Sequence, residues 1–275
     1  MTATRRRRRE RQPPAPIIAI AAVGALVFIV VPLAGLLVRA PWHNFWSDLT
    51  DPATRSALRL SLECSLSATA LSVLVGVPIA WVLARAEFPG RAFARALVLL
   101  PMVLPPVVGG VALLVAFNRN GLVGQYLEAW FGVTFAFSTK GVVLAETFVA
   151  MPFLIITVEG ALRSLDTRYE DAAATLGAGR WTVMRRITLP AIAPSLAAGA
   201  ALTWARALGE FGATIMFAGN LRGTTQTMPL AVYLALQNDI GSAIVLSLVL
   251  LLVSIAVLAV VGRRVFADLP IRAAT

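Results

Sequence analysis

Two ionisable residues, Arg206 and Glu210, lie near the middle of an otherwise apolar run that covers residues 193–218. At the centre of a lipid-facing helix each charge would cost about 2.5–3.5 kcal/mol or more, so we expect both side chains to face water or the interior of a helix bundle. Their i, i+4 spacing places them on one face of a helix, where they can pair. The pair is interpreted as an internal salt bridge or as a polar part of a translocation path, and Gly209 and Gly212 beside it favour close packing or bending.

A second stretch suited to interaction, residues 169–190, is polar and basic and lies between apolar runs long enough to cross a membrane. The protein therefore presents this stretch to water, and we interpret it as a docking surface for another protein. The alternative is an ordinary amphipathic surface loop. Thr167 and Glu170 have the spacing of a capping box, which predicts a short helix that begins at Thr167.

This short helix is predicted to have an apolar face, because its apolar residues recur at helical spacing. The residues of the face are Tyr169, Ala172, Ala173 and Leu176. Gly177 suits the left-handed conformation that ends a helix. A second, basic helix is predicted to begin near Arg180, and we expect Pro190 to end it.

The composition is that of an integral membrane protein. Of 275 residues, 58% are hydrophobic and 14% charged, with a mean hydropathy of +0.80, whereas soluble domains carry about 25% charged residues. The formal net charge of +10 is spread over segments between apolar runs, as the positive-inside rule expects, which argues against nucleic-acid binding. The predicted fold class is all-α, a polytopic bundle of six membrane-spanning helices.

The sequence lacks the residues that several kinds of catalysis require. His43 is the single histidine and Cys64 the single cysteine, so a metal site built on several histidines, an HExxH motif and a disulfide within the chain are all excluded. Lys140 is the single lysine and is not part of a GxxxxGK[ST] loop, which binds phosphate in ATP-driven pumps. The chain is therefore predicted to hold no metal of its own and not to hydrolyse ATP through such a loop.

Six apolar runs are long enough to cross a hydrocarbon core of roughly 30 Å at about 1.5 Å per residue. The predicted spans are residues 17–38, 60–84, 96–117, 141–162, 193–218 and 240–262. Residues 1–16 are predicted to form a basic N-terminal tail and residues 263–275 a C-terminal tail. The first run exceeds the apolar part of a signal peptide, usually about 7–15 residues, and is interpreted as an uncleaved span.

The third predicted span contains three prolines, Pro101, Pro105 and Pro106. They remove backbone donors and predict at least a kinked helix, whose functional interpretation is a helix that lines a gate. In the fourth span, Glu146 and Glu159 lie near the two ends, where headgroups can solvate them, and they are assigned no role.

Most of the 24 Lys and Arg residues fall in the two tails and in the segments 85–95 and 163–192. By the positive-inside rule, both termini and the stretch 163–192 are predicted to be cytoplasmic. No internal repeat is visible in the sequence, which weakens the case for a secondary transporter built from inverted halves.

The spacing within residues 169–190 resembles the EAA motif of ATP-binding-cassette (ABC) importer permeases, a Glu-Ala-Ala followed at fixed distances by Gly and by Ile-x-Leu-Pro. The matching residues are Asp171, Ala172, Ala173, Gly177, Ile187, Leu189 and Pro190. Asp171 stands where the family usually has Glu, and the adjacent Glu170 is expected to share its role. In the fifth span and the loop after it, RALGEFGATIMFAGN and GTTQTMPLAVY resemble the molybdate branch of these permeases and its near relative, the sulfate/thiosulfate branch.

The resemblance implies an importer permease for an oxyanion, molybdate first and sulfate second, in the inner membrane of a bacterial cell. Its implied partners are a separate ATPase subunit that holds ATP and Mg, an extracytoplasmic binding protein and a second copy of the chain in a homodimer. The residues implied to meet the ATPase are Glu170, Asp171, Ala172, Ala173, Gly177, Arg180, Ile187, Leu189 and Pro190. Those implied for the translocation path and gate are Pro105, Pro106, Arg206, Gly209, Glu210 and Gly212.

Two other classes of function remain as alternatives. An ATP-independent secondary transporter or channel would not need the docking stretch. A purely structural membrane anchor would not explain Arg206 and Glu210 within a span.

Overall fold

The computed structural model describes residues 16–267, and every regular element in this range is helical. Within these residues, five helices are long and apolar enough to cross a membrane, and a sixth span is present if a pair of sharply bent helices counts as one. The predicted all-α, polytopic fold is confirmed. Residues 1–15 of the predicted N-terminal tail and residues 268–275 of the predicted C-terminal tail lie outside the described residues.

Short connections join the helices. The first half of the chain forms α1 (Pro16–Arg39), α2 (Phe45–Thr50), α3 (Pro52–Arg85), α4 (Arg91–Val103), α5 (Pro106–Phe117) and α6 (Gly124–Phe131). The second half forms α7 (Thr139–Ser164), α8 (Arg168–Thr175), α9 (Arg180–Val183), a π-turn (Met184–Thr188), α10 (Leu189–Leu208), α11 (Gly212–Phe217), α12 (Met228–Asn238) and α13 (Ile240–Ala267).

Three long helices, α3, α7 and α10, form the centre of the bundle. Leu154, Ile155 and Val158 of α7 are fully buried and belong to one cluster with Leu83 of α3 and Ile192 of α10. The α7 sequence is apolar around most of its circumference, as expected of a helix surrounded by other helices. These three helices therefore hold the other elements in place.

Helix α3 connects the two ends of the bundle. It has 34 residues and begins before the predicted residue 60, and at 1.5 Å per residue it is about 50 Å long, more than a hydrocarbon core of about 30 Å. One end of the bundle, called the α8 end below, is where α3 finishes at Arg85 close to α8. The opposite end is where α3 begins at Pro52.

The third predicted span is two helices rather than one kinked helix. The axes of α4 and α5 differ by 114°. Leu104 and Pro105 between them have extended backbone, with ψ of 135° and 131°. Each of these residues precedes a proline, and the ring of the following proline disfavours the helical conformation. Pro106 then begins α5, where a missing N–H costs nothing.

The fifth predicted span, residues 193–218, is also broken. Helix α10 ends at Leu208, Gly209 is its C-cap, and α11 begins at Gly212. At its other end, α10 is continuous with the π-turn and α9, so the helix runs from Arg180 to Leu208. The span therefore starts earlier than predicted and stops in the middle of the predicted range.

Pro190 does not end the preceding helix, so that prediction is wrong. In the π-turn, the N–H of Leu189 bonds to the carbonyl of Met184, five residues back. A proline ring normally clashes with the carbonyl four residues before it, and the wider π-turn accommodates the ring. Pro190 then lies in the first turn of α10, where helices tolerate proline.

Candidate functional site

Helix α8 begins at Arg168, directly after Thr167, but the predicted capping box does not form. The Thr167 side chain makes no capping hydrogen bond. Asp166 Oδ1 instead accepts a bond of 3.0 Å from the N–H of Arg168. Glu170 is directed away from the start of the helix, because its carboxylate bonds to Arg85 and Thr188.

Gly177 ends α8 in the left-handed conformation, as predicted, with φ of +84°. The N–H of Ala178 bonds to the carbonyl of Ala173 and the N–H of Gly177 to that of Ala174, each at 3.0 Å. This pair of bonds is a Schellman motif, which satisfies the last carbonyls of the helix. A side chain other than hydrogen at residue 177 would be strained, so the chain reverses sharply after α8.

Large apolar side chains of this region lie at the surface. Tyr169 of α8 is 67% exposed, Leu176 after it 89% and Trp181 of α9 68%. Asp171 and Ala172 are exposed beside them, whereas Ala173 is half-buried. An apolar surface of this kind marks a site of contact with another protein or with the membrane surface.

Glu170 differs from Asp171, although the two are adjacent. Its Oε1 accepts a hydrogen bond of 2.7 Å from Thr188 Oγ1 and lies 3.1 Å from Arg85 Nη2. Thr188 is fully buried, and the side chain of Glu170 is 19% exposed. The structure thus places Asp171 on the exposed surface and Glu170 against the bundle.

Of the remaining predicted coupling residues, Arg180 lines a cavity behind α8. The cavity has a volume of about 440 Å³. Among the residues that line it are Trp81, Glu170, Asp171, Arg180, Trp181 and Thr188. Ile187 lies in the π-turn, and Leu189 and Pro190 in the first turn of α10. The predicted coupling residues therefore form one region, which extends from the surface to the start of a long helix.

Arg206 and Glu210 form the predicted ion pair at the break after α10. Arg206 Nη1 lies 2.7 Å from Glu210 Oε2, and Glu210 Oε1 accepts a bond of 2.8 Å from the N–H of Ala213. Glu210 is 1% exposed, whereas the side chain of Arg206 is 29% exposed. Glu210 lies between α10 and α11 rather than within a helix, and its two oxygens join these helices.

The two broken spans meet at their breaks. A Cβ added at Gly212 would lie 2.7 Å from Pro106 Cβ, and one added at Gly110 would lie 2.7 Å from both the carbonyl oxygen of Ala213 and the Cβ of Met216. Real Cβ atoms essentially never approach other atoms within 3.0 Å. Glycine is therefore required for α5 and α11 to pack this closely, and the structure brings Pro106 and Gly212, predicted separately, into contact.

Two buried carboxylates were given no role from the sequence. Glu146 of α7 is 1% exposed, and its Oε2 has no hydrogen-bond partner among the described residues. Glu159, at the other end of α7, is 7% exposed and pairs with Arg95 and with Arg163. The expectation that headgroups solvate both was wrong, because the packing of neighbouring helices buries α7 at both positions.

A second cavity, of about 410 Å³, lies at the opposite end of the bundle. Its lining includes charged residues from four elements and connections: Asp48, Asp51, Arg222 and Asp239. The Ser242 hydroxyl and the N–H groups of Ser242 and Gly241 donate hydrogen bonds to Asp239, which lowers the pKa of Asp239 below its ordinary value. This end of the bundle therefore presents a charged, water-accessible depression.

A bundle of membrane-crossing helices that carries an exposed short helix at one end and broken spans in its interior is compatible with a membrane component of a transport system. Residues 76–268 match the family model described as binding-protein-dependent transport system inner membrane component. The chain belongs to this family.

Individual relatives agree with the family. The molybdenum transport system permease protein ModB of Mycobacterium tuberculosis is 49% identical over 243 residues, which cover 88% of this chain and 92% of the relative. The sulfate transport system permease protein CysT of Escherichia coli is 36% identical over 250 residues, covering 87% and 90%. A crystal structure of a bacterial alginate ABC transporter, in complex with a periplasmic protein, has a chain of the same fold, with a TM-score of 0.71, 20% identity and coverage of 90% and 91%.

Proposed function

We propose that this chain is the permease subunit of an ABC importer for molybdate. The observation that carries the proposal is the 49% identity to a molybdenum transport permease over 88% of the chain. Sulfate is the second candidate substrate, supported by the 36% identity to a sulfate permease.

The energy for transport comes from a separate ATPase subunit, which holds ATP and Mg. The sequence itself has no GxxxxGK[ST] loop, and such a loop supplies the phosphate contacts in ATPases of this type. The exposed side chains of Tyr169, Leu176 and Trp181 give the ATPase an apolar surface to contact, and Asp171 gives it a charge. ATP-driven closure of the ATPase favours one conformation of the permease only if these contacts differ between the inward-facing and outward-facing states.

The translocation path runs beside the two broken spans. Pro105 and Pro106 at one break and Gly209, Glu210 and Gly212 at the other are the segments whose backbone departs from a regular helix. Within a membrane, irregular backbone is tolerated where it is buried in protein or lines a water-filled cavity. Arg206 is 29% exposed at this place and supplies a positive charge to an anionic substrate.

Two further partners complete the transporter. A second copy of the chain covers the apolar face of α5, where Val107, Val108 and Val111 are exposed beside the break. An extracytoplasmic binding protein docks at the opposite end of the bundle, where the charged cavity opens. The α8 end, both termini and the ATPase are then cytoplasmic.

Reconstitution tests this function. Proteoliposomes that contain this chain, its ATPase and its binding protein should accumulate molybdate when ATP is present, and omission of ATP, the ATPase or the binding protein should abolish uptake. Accumulation by this chain alone would overturn the proposal. Sulfate at the same concentration should compete weakly, and preferential import of sulfate would favour the second candidate.

A further inference from the structure

Glu170 joins three elements at the α8 end through one oxygen atom. Glu170 Oε1 lies 3.1 Å from Arg85 Nη2, at the last residue of α3, and 2.7 Å from Thr188 Oγ1, at the last residue of the π-turn. The set of these three side chains is called the Glu170 junction below. Hydrogen bonds to a charged group contribute more to stability than neutral ones, so the junction is a strong connection between α8 and the bundle.

Partial burial strengthens this connection. The side chains of Arg85 and Glu170 are 24% and 19% exposed, and Thr188 is fully buried. By comparison, the pair Arg59–Glu63 has side chains 80% and 55% exposed, and exposed pairs of this kind contribute little to stability. The Glu170 junction is therefore expected to keep its geometry when a force acts on α8.

The elements that meet at the junction lead to the functional parts of the molecule. From Arg85, α3 runs without interruption to the opposite end, where Thr54 in its first turn lines the charged cavity. From Thr188, α10 runs to the break that holds Arg206 and Glu210. A displacement of α8 thus reaches both helices through the side chain of Glu170.

We propose that Glu170 is a positioning residue that transmits the movement of α8 to α3 and α10, while the adjacent Asp171 is the acidic residue that contacts the ATPase. This inference depends on the proposed function, because it assumes that an ATPase moves α8. It assigns different roles to two neighbouring acidic residues that the sequence could not distinguish. Glu170 acts through Arg85 and Thr188 and has no part in holding the ATPase.

The test measures molybdate imported per ATP hydrolysed in proteoliposomes that contain the full transporter. Glu170→Gln keeps an acceptor for Thr188 but removes the charge that faces Arg85. We expect this variant to bind the ATPase as the wild type does and to hydrolyse ATP, but to import about tenfold less molybdate per ATP, as the loss of a charge-assisted hydrogen bond predicts. Arg85→Ala should have the same effect, and the double variant should be no worse than Arg85→Ala, because both changes break one connection.

Three further variants make the test specific. Arg85→Lys keeps the positive charge and should retain most of the import per ATP, whereas Thr188→Val removes the second donor and should lower it. Asp171→Asn is the matched control: it should weaken co-purification of the ATPase, and should lower uptake and ATP hydrolysis together, so that their ratio stays unchanged.

Two results would overturn the inference. If Glu170→Gln loses the ATPase during purification, Glu170 is a docking residue. If all Glu170, Arg85 and Thr188 variants import as much molybdate per ATP as the wild type, the junction does not transmit movement. Failure of the wild-type transporter to import molybdate with ATP would instead refute the proposed function, so the two failures are distinguishable.

Discussion

Each of the two carboxylate oxygens of Glu210 has a bonding partner. One carboxylate oxygen pairs with the Arg206 guanidinium at the end of α10, and the other accepts the Ala213 N–H at the start of α11. A buried ion pair adds little net stability compared with apolar residues, but removal of one partner leaves an uncompensated buried charge, at a cost of about 3–5 kcal/mol. The pair therefore fixes the geometry of the break between α10 and α11. This role is separate from the positive charge that Arg206 supplies to the proposed path.

Substitution of Glu210 should stop transport without preventing insertion. Glu210→Ala removes both contacts and should abolish ATP-driven molybdate uptake. Glu210→Gln retains an acceptor for Ala213 but leaves Arg206 without its counter-charge, and should lower uptake by about tenfold or more, because a hydrogen bond between charged groups contributes about 1.5–3 kcal/mol. Uptake in proteoliposomes and the amount of chain in the membrane fraction are the two measurements.

The chain offers a matched control for this experiment. Arg59 and Glu63 have the same i, i+4 spacing, but both side chains are largely exposed, so Glu63→Gln should leave uptake at the wild-type rate. Wild-type uptake by Glu210→Gln would remove this residue from the mechanism.

Among the elements, the long apolar helices could be predicted from the sequence and the breaks only in part. The length of an apolar run can be counted in the sequence, and the bounds of α1, α7 and α13 follow the predicted spans closely. Pro105–Pro106 predicted an interruption, yet the angle of 114° between α4 and α5 depends on the packing of α5 against α11. Gly209 and Gly212 indicated that close packing or bending was possible, but residues 193–218 were predicted as one span, whereas α10 ends at Leu208 and α11 begins at Gly212.

For the same reason, contacts between distant segments could not be predicted from patterns in the sequence. The capping-box spacing of Thr167 and Glu170 was correct as a pattern, but Arg85 and Thr188 offer the Glu170 carboxylate stronger partners. Glu146 was placed near headgroups by its position in the span, whereas packing around α7 buries it. The Arg206–Glu210 pair could be predicted, since its signal is the local spacing of two opposite charges.

The close packing of α5 on α11 predicts a specific effect of Gly110→Ala. The new methyl group would lie 2.7 Å from a backbone carbonyl, so α11 must move, at a cost of about 1–3 kcal/mol for an overpacked contact. Gly160→Ala in α7 is the control, because its Cβ would meet no atom within 4 Å. Both variants gain the same helix propensity, so the difference between them isolates the contact.

Thermal unfolding of the two purified variants provides the measurement. We expect Gly110→Ala to unfold a few degrees below Gly160→Ala, since 1 kcal/mol corresponds to about 2–4 °C for chains of this size. Its transport rate should fall as well, because the two breaks no longer meet. Equal unfolding temperatures would show that α5 and α11 are not closely packed at Gly110.

At the scale of the whole molecule, the structure separates two surfaces along the length of α3. Helix α8 and the cavity behind it lie at one end, and the charged cavity lined by Asp48, Asp51 and Asp239 lies at the other. An importer driven by a cytoplasmic ATPase requires the α8 end to face the cytoplasm. The basic residues of the stretch 163–192 agree with this orientation, because positive charge is retained on the cytoplasmic side.

Cysteine labelling in intact cells tests this orientation. Cys64, the single native cysteine, is buried at 1% exposure, so Cys64→Ser provides a background without a reactive thiol. In that background, Asn238→Cys, exposed at the end of α12, should react with a membrane-impermeant maleimide in cells that lack the binding protein. Ser164→Cys, exposed at the end of α7, should react only after permeabilisation. Labelling of Ser164→Cys in intact cells would place α8 outside, where no ATP is available to drive import, and would contradict the proposed mechanism.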